Sequence, residues 1–321
     1  MSPLLEVEDV RVRYRAGNRL IAALTGKPDG IEAVAGVSFV IEPGETYAIV
    51  GESGCGKTTL ARSITGLVPA SAGSIRFEGQ EIVGRSDRAL RPLRRRIAMI
   101  FQDPVGSLSP RLTVRSILAE PFRVHGAGGL DVDARIEELL GLVGLPSDFA
   151  RRYPHQLSGG QARRVGVARA LALDPKLVIA DEPTAGLDVS VQGEILNLMN
   201  DLQERLGLAM VIITHNLNVV RHVAHRMAIM YLGRMVEEGS TEGIFAHPRH
   251  PYTLALLSAN PEPDPDAILD RLEIAGEVPS LFNRPRACEF HPRCPFMTDI
   301  CRSDRPAFTG NAHRFACHHP R

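Results

Sequence analysis

The octapeptide Gly51-Glu52-Ser53-Gly54-Cys55-Gly56-Lys57-Thr58 decides the fold of this chain. It follows an apolar run, Thr46 to Val50, that is typical of a buried strand, and it precedes a helix-like segment, Thr59 to Leu67. The glycines let the backbone curl, so that successive N–H groups and the positive end of the helix converge on phosphate oxygens. Strand, glycine-rich loop and helix in this order predict an α/β fold that binds a nucleotide.

The side chains of this loop predict ATP and Mg²⁺ as its ligands. We expect Lys57 to reach the β- and γ-phosphates and Thr58 to hold Mg²⁺. The chain has three lysines against 34 arginines, yet it keeps lysine where a compact ammonium suits phosphate better than a planar guanidinium. A glycine turn without a ligand is a poor alternative, because chance would produce this pattern on the order of 0.002 times in such a sequence. The other expected ATP contacts in and beside the loop are Gly51, Ser53, Gly54, Cys55, Gly56 and Thr59.

Two acids end a second apolar strand. Leu177 to Ala180 is followed by Asp181 and Glu182. In a nucleotide site, Asp181 would help to hold Mg²⁺, directly or through water, and Glu182 would polarise the attacking water as a general base. For this segment alone, a solvated strand end is an equal alternative, but the phosphate loop upstream favours the catalytic interpretation.

A second candidate anion site lies at Leu157-Ser158-Gly159-Gly160-Gln161, before the helical run Ala162 to Leu173. Serine and two glycines at a helix start leave N–H groups available to an anion. A simple N-cap is the commoner use of this pattern. Two separate helix starts of this kind in one chain favour the phosphate interpretation.

The length and composition of the chain limit the classes of protein to which it can belong. The 321 residues suggest two domains, or one large domain with an appendage. Hydrophobic residues make up 44% and charged residues 23%, which excludes collagen, coiled coil and extended disorder. The formal charge is zero, which gives no electrostatic footprint for nucleic acid. Because no apolar stretch is long enough to cross a bilayer, we expect a soluble, cytosolic chain.

The pattern of elements predicts a parallel α/β sheet, since strand-like runs alternate with helical ones. Alternating residues from Leu4 to Tyr14 and from Val34 to Ile41 predict further strands. Helical spacing dominates 110–155 and predicts a helical subdomain at about 103–165. A proline-rich stretch, Pro248 to Pro265, marks a boundary, so that the expected domains are 1–245 and 246–321.

The separated motifs together resemble the ATPase subunits of ABC transporters. Their order and spacing match over roughly residues 4 to 240 in Gly51 to Thr58, Phe101-Gln102-Asp103, Leu157 to Gln161, Asp181-Glu182, Leu187-Asp188 and Thr214-His215. Further stretches narrow the resemblance to the oligopeptide/dipeptide permease ATPases: Gln102-Asp103-Pro104 with Ser107-Leu108-Ser109-Pro110-Arg111, Arg152-Tyr153-Pro154-His155, His250-Pro251-Tyr252-Thr253 and a cysteine-rich tail. Asn216 departs from the family, in which an acid usually follows the histidine.

The resemblance implies the fold and the roles of further residues. The fold would be an ABC-type P-loop ATPase core, with a mixed sheet, an antiparallel β subdomain and a helical subdomain, plus a small Cys-rich C-terminal extension. Gln102 would bind Mg²⁺ or water and sense the γ-phosphate, and His215 would contact that phosphate. Tyr14 would stack on adenine, although a half-buried strand residue is the alternative. Asp188 would contact the nucleotide. The residues Ser158, Gly159, Gly160 and Gln161 would grip the ATP bound by an opposite subunit.

Four cysteines fall in the last 34 residues: Cys288, Cys294, Cys301 and Cys317. Four thiols suit either a tetrahedral Zn²⁺ or an iron–sulfur cluster, and their spacing matches neither zinc ribbons nor ferredoxins. Four reduced structural cysteines are a third alternative. The resemblance extends through Arg293-Cys294-Pro295 and implies a [4Fe–4S] cluster with a structural or redox role. A histidine could replace one thiol: His291, His313, His318 or His319.

The expected function is ATP hydrolysis that energises a membrane importer for di- or oligopeptides. The implied partners are two transmembrane permease subunits, a second ABC ATPase subunit that is a paralogue or a second copy, and, indirectly, an extracytoplasmic substrate-binding protein. The chain would lie peripherally on the cytoplasmic face of the cell membrane and would bind no nucleic acid. Nickel, glutathione or another small solute is an alternative cargo. A soluble ABC ATPase without a transport role is a further alternative, and the neutral charge argues against it.

Overall fold

The structure is a computed structural model that describes residues 2–15, 30–103, 106–259 and 272–321. Pro104 of the motif after Gln102 and the end of the proline-rich stretch, at 260–265, lie outside the described residues.

The described strands follow one another along the chain as β1 Leu5–Arg15, β2 Gly30–Ile41, β3 Thr46–Val50, β4 Ala72–Phe77, β5 Gln80–Glu81, β6 Ile97–Ile100, β7 Leu177–Asp181, β8 Ala209–Thr214, β9 Arg226–Tyr231, β10 Arg234–Ser240 and β11 Arg314–Phe315. The described α-helices are α1 Lys57–Ile64, α2 Asp87–Arg94, α3 Val114–His125, α4 Val132–Leu142, α5 Gly159–Leu171, α6 Val189–Leu206, α7 Leu217–Val223, α8 Thr241–Ala246, α9 Pro251–Ser258 and α10 Asp299–Ser303. Short 3-10 helices occupy Ser147–Arg151, Pro154–Gln156, Leu281–Asn283 and His291–Arg293.

These elements form two compact units, each assembled from separate stretches of sequence. The first unit comprises Met1–Leu4, Ile41–Thr46 and Arg85–Ile213. The second comprises Leu5–Val40, Tyr47–Gly84 and Thr214–Arg321.

The first unit contains a parallel sheet and a group of helices. Strand β7 pairs in parallel with β6 and with β8. All five residues of β7 are buried, which explains why its sequence is apolar up to its last residue. Helices α3, α4 and α5 pack against one another, and α5 also packs against β6. The helices predicted within 110–155 are therefore confirmed by α3 and α4.

The second unit contains two sheets. In one, β1 pairs antiparallel with β4, β4 pairs antiparallel with β5, and β2 lies beside β1. In the other, β3 is parallel to β9, whereas β10 is antiparallel to both β9 and β11. The antiparallel and mixed sheets expected for an ABC-type core are therefore present.

One hydrophobic cluster of the second unit joins distant parts of the sequence. Val50, the last residue of β3, belongs to the same cluster as Tyr231, Tyr252 and Phe290. Phe290 is 1% exposed. The strand that leads into the phosphate loop therefore shares its core with the C-terminal segment. Within the described residues, no helix combines the length and the apolar character needed to span a membrane.

Candidate nucleotide-binding site

The phosphate loop lies in the second unit, between the buried strand β3 and helix α1, as the sequence predicted. Position 51 requires glycine because the backbone of β9 lies close to it. A Cβ there would overlap the carbonyl oxygen of Met230 in β9 and come within 2.9 Å of the Cys55 sulfur. Gly56 is the N-cap of α1 and supplies no capping side chain, and the first turn of the helix contains no acid. The N–H groups at this helix start therefore suit an anion.

Lys57 is folded back over the loop. Its ammonium donates hydrogen bonds to the carbonyl oxygens of Gly51 at 2.6 Å and Glu52 at 3.1 Å, and its side chain is buried. The neighbouring Cys55 is also buried, and desolvation raises the pKa of its thiol although Lys57 opposes the shift. The loop therefore holds its cation among backbone oxygens, in the position from which a phosphate could engage it.

Tyr14 approaches the end of the phosphate loop. Its hydroxyl lies 3.3 Å from the hydroxyl of Thr59, and the residue is 41% exposed. An exposed ring beside the loop is compatible with stacking on a base, and this role stays a prediction. His215 also belongs to the second unit and is exposed directly after the end of β8.

Asn216, the residue that departs from the family pattern, has a local structural role. Its side-chain oxygen accepts hydrogen bonds from the N–H groups of Asn218 at 3.0 Å and Val219 at 3.4 Å, so that it caps α7. Asparagine is as good an N-cap as aspartate, which accounts for the substitution in physical terms.

The two acids predicted for catalysis lie in the first unit, at the end of β7. Asp181 is buried as the last residue of the strand. Glu182 has φ of +51°, a left-handed conformation that is uncommon for a residue with a side chain. Its N–H donates to the Ile213 carbonyl at 2.8 Å, and its carbonyl accepts from the Ala185 N–H at 3.1 Å. Hydrogen bonds on both sides therefore hold this backbone conformation.

A residue that the sequence analysis missed supports the segment after Glu182. Arg163 is 6% exposed on α5, and its guanidinium donates to the carbonyl oxygens of Pro183 and, at 2.7 Å, Ala185. Desolvation lowers the pKa of Arg163. The only available sequence signal was an arginine in the helical run Ala162 to Leu173, and that run contains two more arginines, Arg164 and Arg169.

The serine-glycine motif forms a capping box at the start of α5. The Ser158 hydroxyl accepts from the Gln161 N–H at 3.2 Å, and the Gln161 side-chain oxygen accepts from the Ser158 N–H at 3.0 Å. Within this chain the serine therefore serves as an N-cap, the commoner alternative weighed from sequence. Gly159 and Gly160 begin the helix, and the role of the motif toward a nucleotide stays a prediction.

The other two predicted residues of the first unit are exposed. Asp188 caps α6 by accepting from the Val191 N–H at 3.0 Å, and this bond lowers the pKa of its carboxyl. Gln102 lies two residues beyond the end of β6. The first unit thus holds Gln102, the capping-box motif, both acids and Asp188, and the second holds Tyr14, the phosphate loop and His215.

The four tail cysteines are brought together. All four are free, and all line one small cavity in the second unit, together with Phe290 and Phe296. Burial raises the pKa of Cys288 to about 12 and also raises the pKa of Cys294 and Cys317. Among the residues that the structure describes, no three histidine, cysteine or carboxylate side chains are arranged to hold a single metal ion.

The alternative histidine ligands have other partners. His313 lies outside this cavity, with its Nε2 2.6 Å from the Glu237 carboxylate. His291, His318 and His319 line the cavity, but one ring nitrogen of each lies near the Cys288 carbonyl, the Asp304 carbonyl or the Thr298 hydroxyl.

The fold and the phosphate loop define a nucleotide-binding α/β protein of the P-loop class. Residues 34–185 match the family model described as ABC transporter, and residues 236–301 match the model of the oligopeptide/dipeptide transporter C-terminal region. The chain belongs to the ABC transporter ATP-binding proteins that carry this C-terminal region, and it is an ATPase.

Several curated relatives are similar over nearly their whole length. The oligopeptide transport ATP-binding protein AppF of Bacillus subtilis (strain 168) is 45% identical over 98% of this chain and 97% of the relative. The dipeptide transport ATP-binding protein DppF of Haemophilus influenzae is 44% identical over 95% of this chain and 92% of the relative. Among solved structures, a dimeric ATP-binding cassette in a post-hydrolysis state with ADP and Pi has a TM-score of 0.65 and 30% identity, covering 74% of this chain and 98% of the other.

Proposed function

We propose that this chain hydrolyses ATP to energise a membrane importer of di- and oligopeptides. The observation that carries the proposal is the similarity to oligopeptide and dipeptide transport ATP-binding proteins over almost the entire chain, which includes the C-terminal region. The complete phosphate loop supplies the required chemistry. The chain would work on the cytoplasmic face of the cell membrane, bound to two transmembrane permease subunits and supplied with peptide by an extracytoplasmic binding protein.

For the reaction, Lys57 and the loop N–H groups bind the ATP phosphates, and Tyr14 stacks on the adenine. Thr58, Asp181 and Gln102 have the oxygen donors that Mg²⁺ prefers, and Mg²⁺ would neutralise charge on the transferring phosphoryl group. Glu182 accepts a proton from the water that attacks the γ-phosphorus, and His215 contacts the γ-phosphate. ADP and phosphate leave. The buried Asp181 and the backbone held around Glu182 support these assignments.

The working form would be a dimer of ATPase chains, either two copies or a pair of paralogues. Ser158, Gly159, Gly160, Gln161 and Asp188 would contact the nucleotide held by the other chain. The exposure of Ser158 and Asp188 supports this role, because both helix starts are open to a partner.

The test is ATP hydrolysis and peptide uptake by the transporter assembled with its permease subunits in vesicles. We expect Lys57→Ala to abolish ATP binding and both activities. Photo-crosslinkers at Ser107 and Ser109 should label a membrane permease chain. Labelling of soluble proteins alone would exclude an importer function. Uptake of nickel or glutathione without uptake of peptide would assign that solute as the cargo instead.

We also propose that 1–245 form the ATPase domain and 246–321 a Cys-rich extension that holds a [4Fe–4S] cluster through Cys288, Cys294, Cys301 and Cys317. The convergence of four thiols on one cavity supports a shared ligand. The thiolates around one Zn²⁺ ion would lie roughly 3.8 Å apart, from a Zn–S distance of about 2.3 Å. No such close group of ligands is found among the described residues, and the family resemblance through Arg293-Cys294-Pro295 is what favours the iron–sulfur cluster over Zn²⁺.

Anaerobic purification with iron and sulfide analysis tests the cluster. Four irons and four sulfides per chain, both lost in Cys294→Ser, are the expected result. One zinc without sulfide would assign the thiols to Zn²⁺, and a metal-free, fully soluble protein would leave them as structural cysteines.

A further inference from the structure

Two sequence motifs have no task in the proposed reaction. One is His250-Pro251-Tyr252-Thr253, at the start of α9, and the other is Arg293-Cys294-Pro295 in the tail. Both contact Glu52, the second residue of the phosphate loop, and all of these residues belong to the second unit.

Arg293 forms a two-pronged ion pair with Glu52. Its Nη1 and Nη2 donate to the two carboxylate oxygens at 2.9 Å and 3.2 Å. The Arg293 side chain is 9% exposed and that of Glu52 is 26% exposed, so water screens the pair only in part. A guanidinium fork that engages both oxygens fixes the orientation of the carboxylate as well as its charge.

Tyr252 holds the backbone of the same residue. The Glu52 N–H donates to the Tyr252 hydroxyl oxygen at 3.1 Å. The Tyr252 ring is fully buried and packs on Tyr231 and Phe290, with ring centroids 4.8 Å and 5.4 Å away. Burial raises the pKa of Tyr252, so that its hydroxyl stays neutral. The contact to the loop is therefore made by a side chain that the core keeps in place.

These contacts bear on the phosphate-binding lysine. The Glu52 carbonyl accepts hydrogen bonds from Lys57 at 3.1 Å and from the Cys55 N–H at 3.3 Å. Glu52 also brings a negative charge to a loop whose ligand is an anion. Without Arg293, this carboxylate would be unpaired and would oppose ATP binding.

We propose that Arg293 and Tyr252 are positioning residues for ATP binding: they hold Glu52 by its side chain and its backbone, and Arg293 neutralises its charge. The C-terminal segment thereby sets the ATP affinity of the phosphate loop. This inference rests on the proposed binding of ATP by that loop.

The experiment measures the Kd of ATP for the full chain at 50 mM and 500 mM NaCl. We expect Arg293→Gln to weaken binding on the order of tenfold at low salt, and clearly less at high salt, because salt screens the unpaired charge of Glu52. The double variant Glu52→Gln with Arg293→Gln should return to within about threefold of the wild type, since no carboxylate is left unpaired. A purely structural role for Arg293 would produce neither the salt dependence nor the recovery.

The matched control is Arg305→Gln. It removes the same charge from the same tail, where Arg305 pairs with Glu289 at 3.0 Å and Arg234 stays as a second partner of that acid at 2.8 Å. Its ATP affinity should equal that of the wild type.

Two milder variants keep the test decisive if Arg293→Gln does not fold. Tyr252→Phe removes one hydroxyl and should weaken ATP binding about threefold at both salt concentrations, and Arg293→Lys should lose less affinity than Arg293→Gln. Wild-type affinity in both milder variants would overturn the proposal, as would a double variant no better than Arg293→Gln. By contrast, a wild-type chain that binds no ATP, or a Lys57→Ala variant that binds it normally, would refute the proposed function itself.

Discussion

Replacing Gly51 with alanine should weaken ATP binding as well as the fold. The new Cβ would overlap the carbonyl oxygen of Met230, which belongs to a strand paired on both sides, with β3 and with β10. Ordinary contact needs roughly 3.5 Å, so the loop has to move by about 1 Å, and overpacking of this kind costs about 1 to 3 kcal/mol. The Gly51 carbonyl is also the nearest acceptor of Lys57, at 2.6 Å, so that the displacement reaches the phosphate-binding cation. A loss of about 2 kcal/mol in the free energy of ATP binding corresponds to roughly thirtyfold weaker binding.

The assay pairs isothermal titration with ATP and thermal unfolding of the same preparation. Gly79→Ala is the matched control, because Gly79 lies in the turn between β4 and β5, has φ of +73° and has open space around its Cβ position. It should lose about 1 kcal/mol of stability through backbone strain and no ATP affinity. If Gly51→Ala binds ATP as tightly as Gly79→Ala does, the close packing of the loop against β9 does not govern nucleotide binding.

Three further outcomes are expected. Glu182→Gln should lower ATP hydrolysis by the assembled transporter on the order of 10² to 10⁴-fold while ATP still binds and a closed dimer accumulates, and unaltered turnover would remove Glu182 from the role of base. Arg163→Met should lower hydrolysis about tenfold or more without changing the Kd of ATP, since it removes the hydrogen bonds to the carbonyls of Pro183 and Ala185. The hydrolysis rate of Arg163→Lys should lie between those of the wild type and Arg163→Met. His250 is fully buried, and burial lowers its pKa from the ordinary 6.5 to about 3. Below about pH 6.5 the unfolded chain binds a proton at this residue and the folded chain does not, so the free energy of unfolding falls, by about 2 kcal/mol at pH 5. His250→Asn, which can still cap the Tyr252 N–H, should remove that part of the acid sensitivity in urea unfolding, and an identical loss of stability in both proteins would show that His250 is not its source.

Much of the fold could be predicted from local patterns. The apolar run before the glycine-rich loop predicted β3 with the bounds that the structure shows. A short strand that is buried on both faces is recognised by a continuous apolar run and needs no alternation of apolar and polar residues. Helix ends were less predictable. Helix α1 was expected to continue to Leu67 but ends at Ile64, and Gly66 follows in a left-handed conformation. Helix α6 begins at Val189, directly after its N-cap Asp188, so that the capping residue rather than apolar spacing sets its start.

The contacts that support the site could not be predicted, because they join residues far apart in sequence. Arg293 and Glu52 are 241 positions apart, and Tyr252 and Glu52 are 200 positions apart. Neither periodicity nor capping patterns carry information over such separations. The motif resemblance drew attention to Tyr252 and Arg293 but gave neither of them a partner.

The backbone at Glu182 adds evidence for its function that the sequence could not supply. Four other described residues with side chains also have positive φ: Glu78 and Leu232 in the turns between paired antiparallel strands, Asp9 at a register shift within β1, and Asp174 just after α5. Glu182 instead follows a parallel strand, at a cost of about 1 kcal/mol relative to an ordinary conformation. The surrounding structure offsets this cost with the bond to the Ile213 carbonyl and with Arg163, which fixes the next residues. Strain that is retained and supported in this way is typical of a side chain that has to point in one direction for function. This observation supports the proposal that Glu182, rather than Asp181, meets the attacking water, and the Glu182→Gln variant tests it.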